Sequence, residues 1–352
     1  MRSAKMSLFL FSILVASDFL FAQNEFNIPI EMVKLTDHVI LFKTGATGVY
    51  SNMIAVKTQK GVVVFDALQF PDVTKKVRGM IEEEFGKSIV YLVNTHGATD
   101  HTGGNEVFSD VPIIAHDAAK AEVLQAAAMS KRMRAIQANP PTGQRVPPVP
   151  PSPSKENYPG DPGEIDEQSE IWAKMSVYVK TASDPVPPTI TFNDQETLDM
   201  GNMTLRMFHN TPSYSESDII IHIPEENVLI VGDIFNKNRL PWLNIKTDFE
   251  AMKNLFSPFI ADDSKIKIFI GTHNYVMTID DVRENFKYID KLRDEMGRLR
   301  NEGKSLVDAK KELALKSFPV FGHLNPFFYG TTINMHDNNI QMIWRQLESA
   351  KK

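Results

Sequence analysis

The sequence contains no cysteine among its 352 residues. This absence excludes disulfide bonds, thiolate zinc sites and a lipid-modified N-terminal cysteine. The sequence also has no excess of basic residues, because its formal net charge is -6. This charge does not favour binding to nucleic acid or to an anionic membrane. Beyond the N-terminal segment no apolar run is long enough to span a bilayer. Any metal ion must therefore be held by His, Asp, Glu or Tyr side chains, or by water.

The first 22 residues have the layout of a secretory signal peptide. Arg2 and Lys5 carry positive charge, residues 6–16 form a short apolar run, and Ala22 offers a cleavage point before Gln23. We expect residues 1–22 to be removed and the mature chain to be exported, either to a periplasm or out of the cell. A charged residue close to the apolar run leaves a retained N-terminal anchor open as the alternative.

Short strands and helices alternate along the rest of the chain, which predicts an α+β fold. Two β-rich halves with interspersed helices favour two stacked sheets that are covered by helices. Strands are predicted at 38–44, 50–58, 61–66, 89–94, 112–115, 189–192, 202–209, 218–223, 227–231 and 265–270, and helices at 71–85, 117–137, 279–301, 306–315 and 338–347.

A proline-rich segment, residues 139–163, interrupts this alternation. Proline fixes φ and removes a hydrogen-bond donor, so the segment is predicted to be an extended insertion. We assign residues 23–280, including this insertion, to one domain and residues 281–352 to a helical C-terminal extension. Long insertions near active sites often act as lids, but a solvated excursion without a role is an equal alternative here.

Chemistry-bearing residues gather in the segment THGATDH, residues 95–101, directly after a buried strand. His96, Asp100 and His101 supply two imidazoles and a carboxylate, a mixture that suits zinc. Asp233 and His273 also follow apolar strands, each after a short glycine-containing turn. Strand ends of this kind converge on one rim of a sheet, where ligands bind. The remaining histidines, such as His116, His209 and His222, are assigned to capping or packing.

In order and spacing these motifs resemble the metallo-β-lactamase superfamily. The resemblance covers about residues 36–280 and rests on THGATDHTGGN, TPSYSESDIIIHIP, VLIVGD and GTH. It implies an αββα four-layer sandwich and a metal-dependent hydrolase. It also implies that Asp100, His101, Asp233 and His273 match the ligands of the family's second metal site.

The first metal site of the family is incomplete in this chain. His96 matches its first histidine, but Ala98 stands at the second position and Tyr214 at the third. The resemblance therefore implies one tightly bound Zn²⁺, with a second ion weak or absent. Asp100 is the candidate general base if it leaves the metal, and Tyr214 or His96 is the candidate donor to a developing oxyanion or leaving group.

Two functions remain open from the sequence. One is a zinc-dependent hydrolase in which activated water attacks an ester, lactone, amide or phosphoester of a small-molecule substrate. The other is a non-catalytic binding protein of the same fold, in which the missing imidazoles ended hydrolysis. No membrane span is expected in the mature chain, and the oligomeric state is open.

Overall fold

The computed structural model describes residues 28–138, 154–158, 160–181, 185–273 and 276–349. The predicted signal peptide and most of the proline-rich insertion lie outside these ranges, so both stay predictions. In the described part of the chain, no helix combines the length and the apolar character needed to cross a bilayer.

The described residues contain twelve strands, which form two sheets. The first sheet has seven strands in chain order: β1 (Ile30–Lys34), β2 (Val39–Thr44), β3 (Met53–Thr58), β4 (Gly61–Phe65), β5 (Ile89–Val93), β6 (Ile113–His116) and β7 (Ile190–Phe192). The second sheet has five strands in the order β12 (Ile268–Gly271), β11 (Val228–Gly232), β10 (Ile219–Ile223), β9 (Thr204–His209) and β8 (Gln195–Asp199).

The central strands of each sheet are buried on both faces, and the side-chain alternation of the strands shows why. In β4, Val63 and Phe65 join the apolar cluster between the sheets, whereas Val62 and Val64 join the cluster under the helices of the first sheet. A continuous apolar run is the pattern of a strand that is covered on both sides, because successive residues point to opposite faces. The GVVVF run therefore occupies the middle of a four-layer sandwich.

Eight α-helices occur within the described ranges, and the longer ones supply the two outer layers. Four helices connect strands of the first sheet: α1 (Pro71–Phe85), the short α2 (Thr99–Thr102), α3 (Asp117–Ala138) and α4 (Pro162–Thr181). The second sheet is covered by α5 (Phe249–Ile260), α6 (Ile279–Asn301), α7 (Leu306–Glu312) and α8 (Met335–Ser349). The predicted αββα sandwich is confirmed.

The topology brings four strand ends to one edge of the sandwich. β4 and β5 are parallel neighbours, and so are β11 and β12. Parallel strands end at the same edge of a sheet, so the loops that follow them meet there. Backbone hydrogen bonds join the two sheets at this edge: Ile219 N–H donates to Thr95 O at 3.0 Å, and Asn52 N–H donates to Thr272 O at 2.6 Å.

Some elements differ from the sequence-based prediction. The strands β1 and β8 and the helices α4 and α5 were not predicted, and the proline-rich segment ends two residues inside α4. The C-terminal helices pack against the second sheet: Phe286 and Ile340 belong to the same apolar cluster as Leu229 of β11.

Candidate active site

The loop after β5 is held in place by Asp66, which follows β4. The carboxylate of Asp66 accepts hydrogen bonds from Thr95 N at 2.7 Å and Thr95 Oγ1 at 2.8 Å. The two glycines after α2 allow the loop to lie close to the chain beyond Asp66: a Cβ on Gly104 would stand 2.1 Å from Ala67 O. The TGGN part of the motif is therefore a packing requirement.

Four potential metal ligands meet at this edge. The ligand atoms of Asp100, His101, Asp233 and His273 all lie within 4.8 Å of one another. The Asp233 carboxylate is 3.5 Å from His101 Nε2 and 3.6 Å from His273 Nε2. The Asp100 carboxylate is 3.3 Å from His101 Nε2 and 3.2 Å from His273 Nε2. The four residues come from the loops after three strands, one in the first sheet and two in the second.

Second hydrogen bonds orient both imidazoles. His101 Nδ1 is 2.8 Å from Asp66 Oδ2, and His273 Nδ1 donates to Gly48 O at 3.0 Å. A histidine whose Nδ1 is held by a carboxylate or carbonyl presents Nε2 as the metal-binding atom. This arrangement is the one that metal-ligating histidines normally have.

The chemistry of the cluster fits a divalent cation. His101 is fully buried, and its Nε2 has no hydrogen-bond partner among the described residues. A buried polar atom without a partner is costly, and the atoms around this one are carboxylate oxygens and another imidazole nitrogen. Two imidazoles and two carboxylates are the donor set of zinc sites.

Electrostatics within the cluster point the same way. Burial disfavours a charged His101, but the carboxylates of Asp100 and Asp233 outweigh it and raise the pKa of His101 well above its usual value. Burial likewise opposes ionisation of Asp233, but His273 and His101 lower its pKa. The buried carboxylate of Asp233 and the partly exposed one of Asp100 therefore favour positive charge beside them, which either protons or a bound cation can supply.

His96 lies beside this cluster and is not one of the four. Its Nε2 is 3.8 Å from Asp233 Oδ2 and also has no partner among the described residues. Its ring is 5.3 Å from the ring of Tyr214 in an edge-to-face arrangement. The structure thus places His96 and Tyr214 next to each other, where the resemblance expects the first metal site.

Tyr214 is held by a tight turn. The carboxylate of Asp218 accepts hydrogen bonds from the backbone N–H groups of Ser213, Tyr214 and Ser215, at 3.2, 2.8 and 2.9 Å. Burial, reinforced by Asp100 and Asp233, raises the pKa of Tyr214 well above its usual value. In the metal-free protein Tyr214 is therefore a neutral phenol and a hydrogen-bond donor.

Tyr329, from the C-terminal extension, also borders the site and was missed from the sequence. Its ring lies 4.8 Å from the ring of His273, and its buried hydroxyl has no partner among the described residues. The guanidinium of Arg239 lies over the same ring at 4.1 Å. The sequence around Tyr329 carries no motif, whereas Asp66 could have been found, because it follows a buried strand as Asp233 does.

A cavity of about 320 Å³ opens next to the cluster, and we call it the α4 cavity. It is bounded by the chain around β2 and β3, the start of α1, one face of α4, the C-terminal extension and the cluster. Its lining residues are Ile28, Thr44, Val49, Tyr50, Ser51, Leu68, Gln69, Phe70, Val73, Thr99, Asp100, Gln168, Ile171, Trp172, Met175, Tyr214, His273, Phe328 and Tyr329.

The histidines assigned to capping or packing have such contacts. His116 stacks on His209 with ring centroids 3.7 Å apart, and His222 meets Phe259 edge-on at 5.0 Å. The N–H of Ala118, in the first turn of α3, donates to His116 Nδ1 at 3.2 Å.

The fold is an αββα sandwich with a cluster of side chains that could hold a metal ion, and comparison with known sequences identifies the family. The sequence profile of the metallo-beta-lactamase superfamily matches residues 46–273, which is more than half of the chain. The chain belongs to this superfamily, as its motifs indicate. No curated protein matches it.

Several solved structures share the fold. A double mutant of the sec-alkyl sulfatase PisA1 matches 90% of this chain and 50% of its own, with a TM-score of 0.61 and 15% identity. The sec-alkylsulfatase Pisa1 from Pseudomonas sp. gives 0.59 and 16% over the same shares. A metallo-beta-lactamase from Pontibacter korlensis matches 74% of this chain and 99% of its own, with 0.48 and 14%. The chain spans about half the length of the alkylsulfatases, and these identities show the fold alone.

Proposed function

We propose that the protein is a metal-dependent hydrolase with one tightly bound zinc ion, held by Asp100, His101, Asp233 and His273. The observation that carries the proposal is the convergence of these four ligand atoms within 4.8 Å, with the Nδ1 atoms of both histidines already engaged. A cavity large enough for a small molecule adjoins the cluster.

A single site follows from the composition of its neighbourhood. His96 and the neutral phenol of Tyr214 are the only counterparts of the three histidines expected at the first site. One imidazole and one protonated tyrosine are a poor ligand set for a second zinc ion. We therefore expect a second ion to bind weakly or not at all.

The metal ion and the residues around it have separate roles in the proposed hydrolysis. When bound, zinc lowers the pKa of a water ligand from 15.7 to about 7 and polarises an oxygen of the substrate. Asp100 has a partly exposed carboxylate on the cavity wall and would act as the general base when it leaves the metal, accepting a proton at Oδ. Tyr214 lines the cavity beside it, and its O–H is suited to donate to negative charge that develops on the substrate oxygen.

Metal analysis tests the proposal. The purified mature chain is dialysed against zinc and then against buffer, and bound metal is measured together with hydrolysis of p-nitrophenyl acetate. We expect about one zinc per chain and measurable hydrolysis in the wild-type protein. Asp233→Asn should lose both, because it removes a carboxylate that faces both imidazoles.

The control for this substitution is Asp199→Asn, which alters an exposed carboxylate far from the four ligands. It should keep zinc and activity. A wild-type protein that stays metal-free after dialysis would contradict the proposal and favour the alternative, a non-catalytic binding protein.

A further inference from the structure

We propose that the substrate is an uncharged carboxylic ester with an apolar acyl chain, and that this chain lies in the α4 cavity. The inference rests on the proposed hydrolase function and narrows its substrate class. It sets esters of this kind apart from phosphoesters, sulfate esters and carboxylate-bearing lactams, all of which carry negative charge next to the bond that is broken.

The first support is the composition of the cavity wall. Most of its lining side chains are aliphatic or aromatic, including Val73 of α1 and Ile171, Trp172 and Met175 of α4. The polar side chains include Asp100 and His273 of the cluster and two uncharged amides, Gln69 and Gln168. A neutral ester with its carbonyl at the cluster and its chain toward α4 would satisfy both ends, because apolar groups gain by leaving water and the carbonyl keeps polar partners.

The second support is charge. Among the described residues that line the cavity there is no lysine or arginine, and the Asp100 carboxylate forms part of its wall. An anion that entered would lose its hydration without gaining an ion-pair partner, which is costly. A neutral ester carries no charge, so its entry does not have this desolvation cost.

In the described part of the chain, Lys174 and Arg239 each lie over an aromatic ring of the wall, and both are paired with a carboxylate. The Lys174 ammonium is 5.0 Å from the ring centroid of Phe70, but it is bound to Asp72 at 2.6 Å. Arg239 lies over Tyr329, but it is bound to the buried carboxylate of Glu164 at 2.5 Å. Neither is available to hold an anionic group in the cavity.

The metal cluster does not supply the missing positive charge. Asp100 and Asp233 carry two negative charges, which balance the two positive charges of a zinc ion. With neutral imidazoles from His101 and His273, the loaded cluster has no formal net charge. Beside it, the side chains of Tyr214 and Tyr329 line the cavity, and a tyrosine hydroxyl is suited to donate to the oxygen of a carbonyl group.

A kinetic series with a constant leaving group tests the inference. On the zinc-loaded protein, kcat/KM is measured for p-nitrophenyl acetate, butanoate and hexanoate and for p-nitrophenyl phosphate and sulfate. We expect kcat/KM to rise about fourfold for each methylene that the cavity buries, which corresponds to about 0.8 kcal/mol. The two anionic substrates should be turned over at least about a hundredfold more slowly than the hexanoate ester.

A binding measurement gives a readout that does not depend on turnover. The probes are 2-octanone and octanoate, which have similar apolar chains and differ in charge, and binding is followed by calorimetry on zinc-loaded and metal-free protein. We expect the ketone to bind more tightly than the anion in both forms. Trp172→Ala should weaken ketone binding about tenfold, because it removes part of the apolar wall.

Trp172 is partly exposed, so its replacement should leave the fold intact. Val307→Ala, an exposed apolar residue on α7 outside the cavity, is the control and should bind the ketone as the wild-type protein does.

The outcomes separate the inference from the proposed function. Zinc binding with equal or faster turnover of p-nitrophenyl phosphate or sulfate, or with no gain along the acyl series, overturns the inference and leaves the hydrolase proposal standing. Tighter binding of octanoate than of 2-octanone also overturns it. If no zinc binds and no ester is cleaved, but Trp172→Ala still weakens ketone binding, the hydrolase proposal fails and the neutral apolar ligand class stands.

Discussion

Asp66 adopts a backbone conformation that non-glycine residues rarely have, with φ of 60°. Its carboxylate joins three groups of the site, the Thr95 N–H, the Thr95 hydroxyl and His101 Nδ1. Such backbone strain persists where the surroundings enforce it, and it is concentrated at functional sites. Asp66 therefore acts on the cluster by orienting His101, without belonging to the four ligands.

We expect Asp66→Ala to lower zinc affinity about 10- to 100-fold, which is the usual effect of removing a carboxylate that orients a ligating histidine. The measurement is competition for zinc with a chromophoric chelator, and circular dichroism checks that the variant is folded. Asp199→Asn serves as the surface control. Unchanged zinc affinity in a folded Asp66→Ala protein would show that His101 does not need this orientation.

The buried hydroxyl of Tyr329 has no hydrogen-bond partner among the described residues. Burial, partly offset by Arg239 and reinforced by Asp233, raises its pKa well above the usual value, so the hydroxyl keeps its proton. A buried polar group without a partner costs roughly 1–3 kcal/mol. We infer that the Tyr329 hydroxyl interacts with a molecule bound in the α4 cavity.

Tyr329→Phe should therefore raise the free energy of unfolding by about 1 kcal/mol and lower kcat for p-nitrophenyl hexanoate by about tenfold or more. Urea unfolding and steady-state kinetics measure the two effects. Tyr91→Phe, on β5 of the first sheet, is the matched control and should change neither quantity by as much. A stabilised variant with full activity would leave Tyr329 a packing residue.

At the level of single elements, the junction of β6 and α3 depends on a neutral histidine. His116 Nδ1 accepts a hydrogen bond from the Ala118 N–H, and Nε2 donates to Asn193 O at 2.8 Å. Both ring nitrogens are thus used in the neutral form. Burial, together with the positive charge that His209 can carry, lowers the pKa of His116.

The sign of the pH dependence follows from this shift. Above the unfolded pKa of about 6.5, both states hold neutral His116 and its full contribution is present. As pH falls below 6.5, the unfolded chain takes up the proton first, so stability is lost until the lowered folded pKa is passed. His116→Gln should reduce the loss of stability between pH 7 and 5, as measured by urea unfolding at several pH values.

His323→Gln, which changes an exposed histidine, is the control for His116→Gln. A loss of stability between pH 7 and 5 that is the same in His116→Gln and in the wild-type protein would contradict the prediction.

The elements that the sequence predicted share one property, a clear apolar period. The predicted helices at 71–85 and 279–301 match α1 and α6 to the residue, because each has an amphipathic face and a definite start: Pro71 in one, and a Thr278–Asp281 capping box in the other. The missed strands β1 and β8 are largely exposed, so they lack that period. α5 carries a proline within it, which argued against a helix.

At the scale of the whole molecule, the C-terminal extension contributes to the stability of the fold. Residues of α6, α7 and α8 complete the apolar cluster on the outer face of the second sheet, where Phe286, Ile289 and Ile340 are almost fully buried. The Arg239–Glu164 ion pair and the Phe327 carbonyl bound by Arg239 also join this extension to α4. The extension is therefore a structural layer as well as one wall of the cavity.

Truncation after residue 280 should abolish cooperative folding, because it uncovers one face of a sheet that is buried on both sides. We expect an aggregated or expanded chain with no cooperative urea transition. Truncation after residue 349, which removes only the last three residues, is the control and should unfold like the full chain. A soluble, cooperatively folded 23–280 fragment would show that the domain ends where the sequence suggested.

The sequence by itself determined the sandwich and the ligand candidates, because buried strands leave continuous apolar runs and metal ligands recur at their ends. His96, Asp100 and His101 are neighbours in the chain, and Asp233 and His273 carry the same signal of a polar residue after an apolar strand. Only the tertiary structure decided which of them meet. It also placed Asp66 behind His101, and Tyr329 and α4 around the cavity, since those contacts join segments that are well separated in the chain, and no local pattern encodes such pairings.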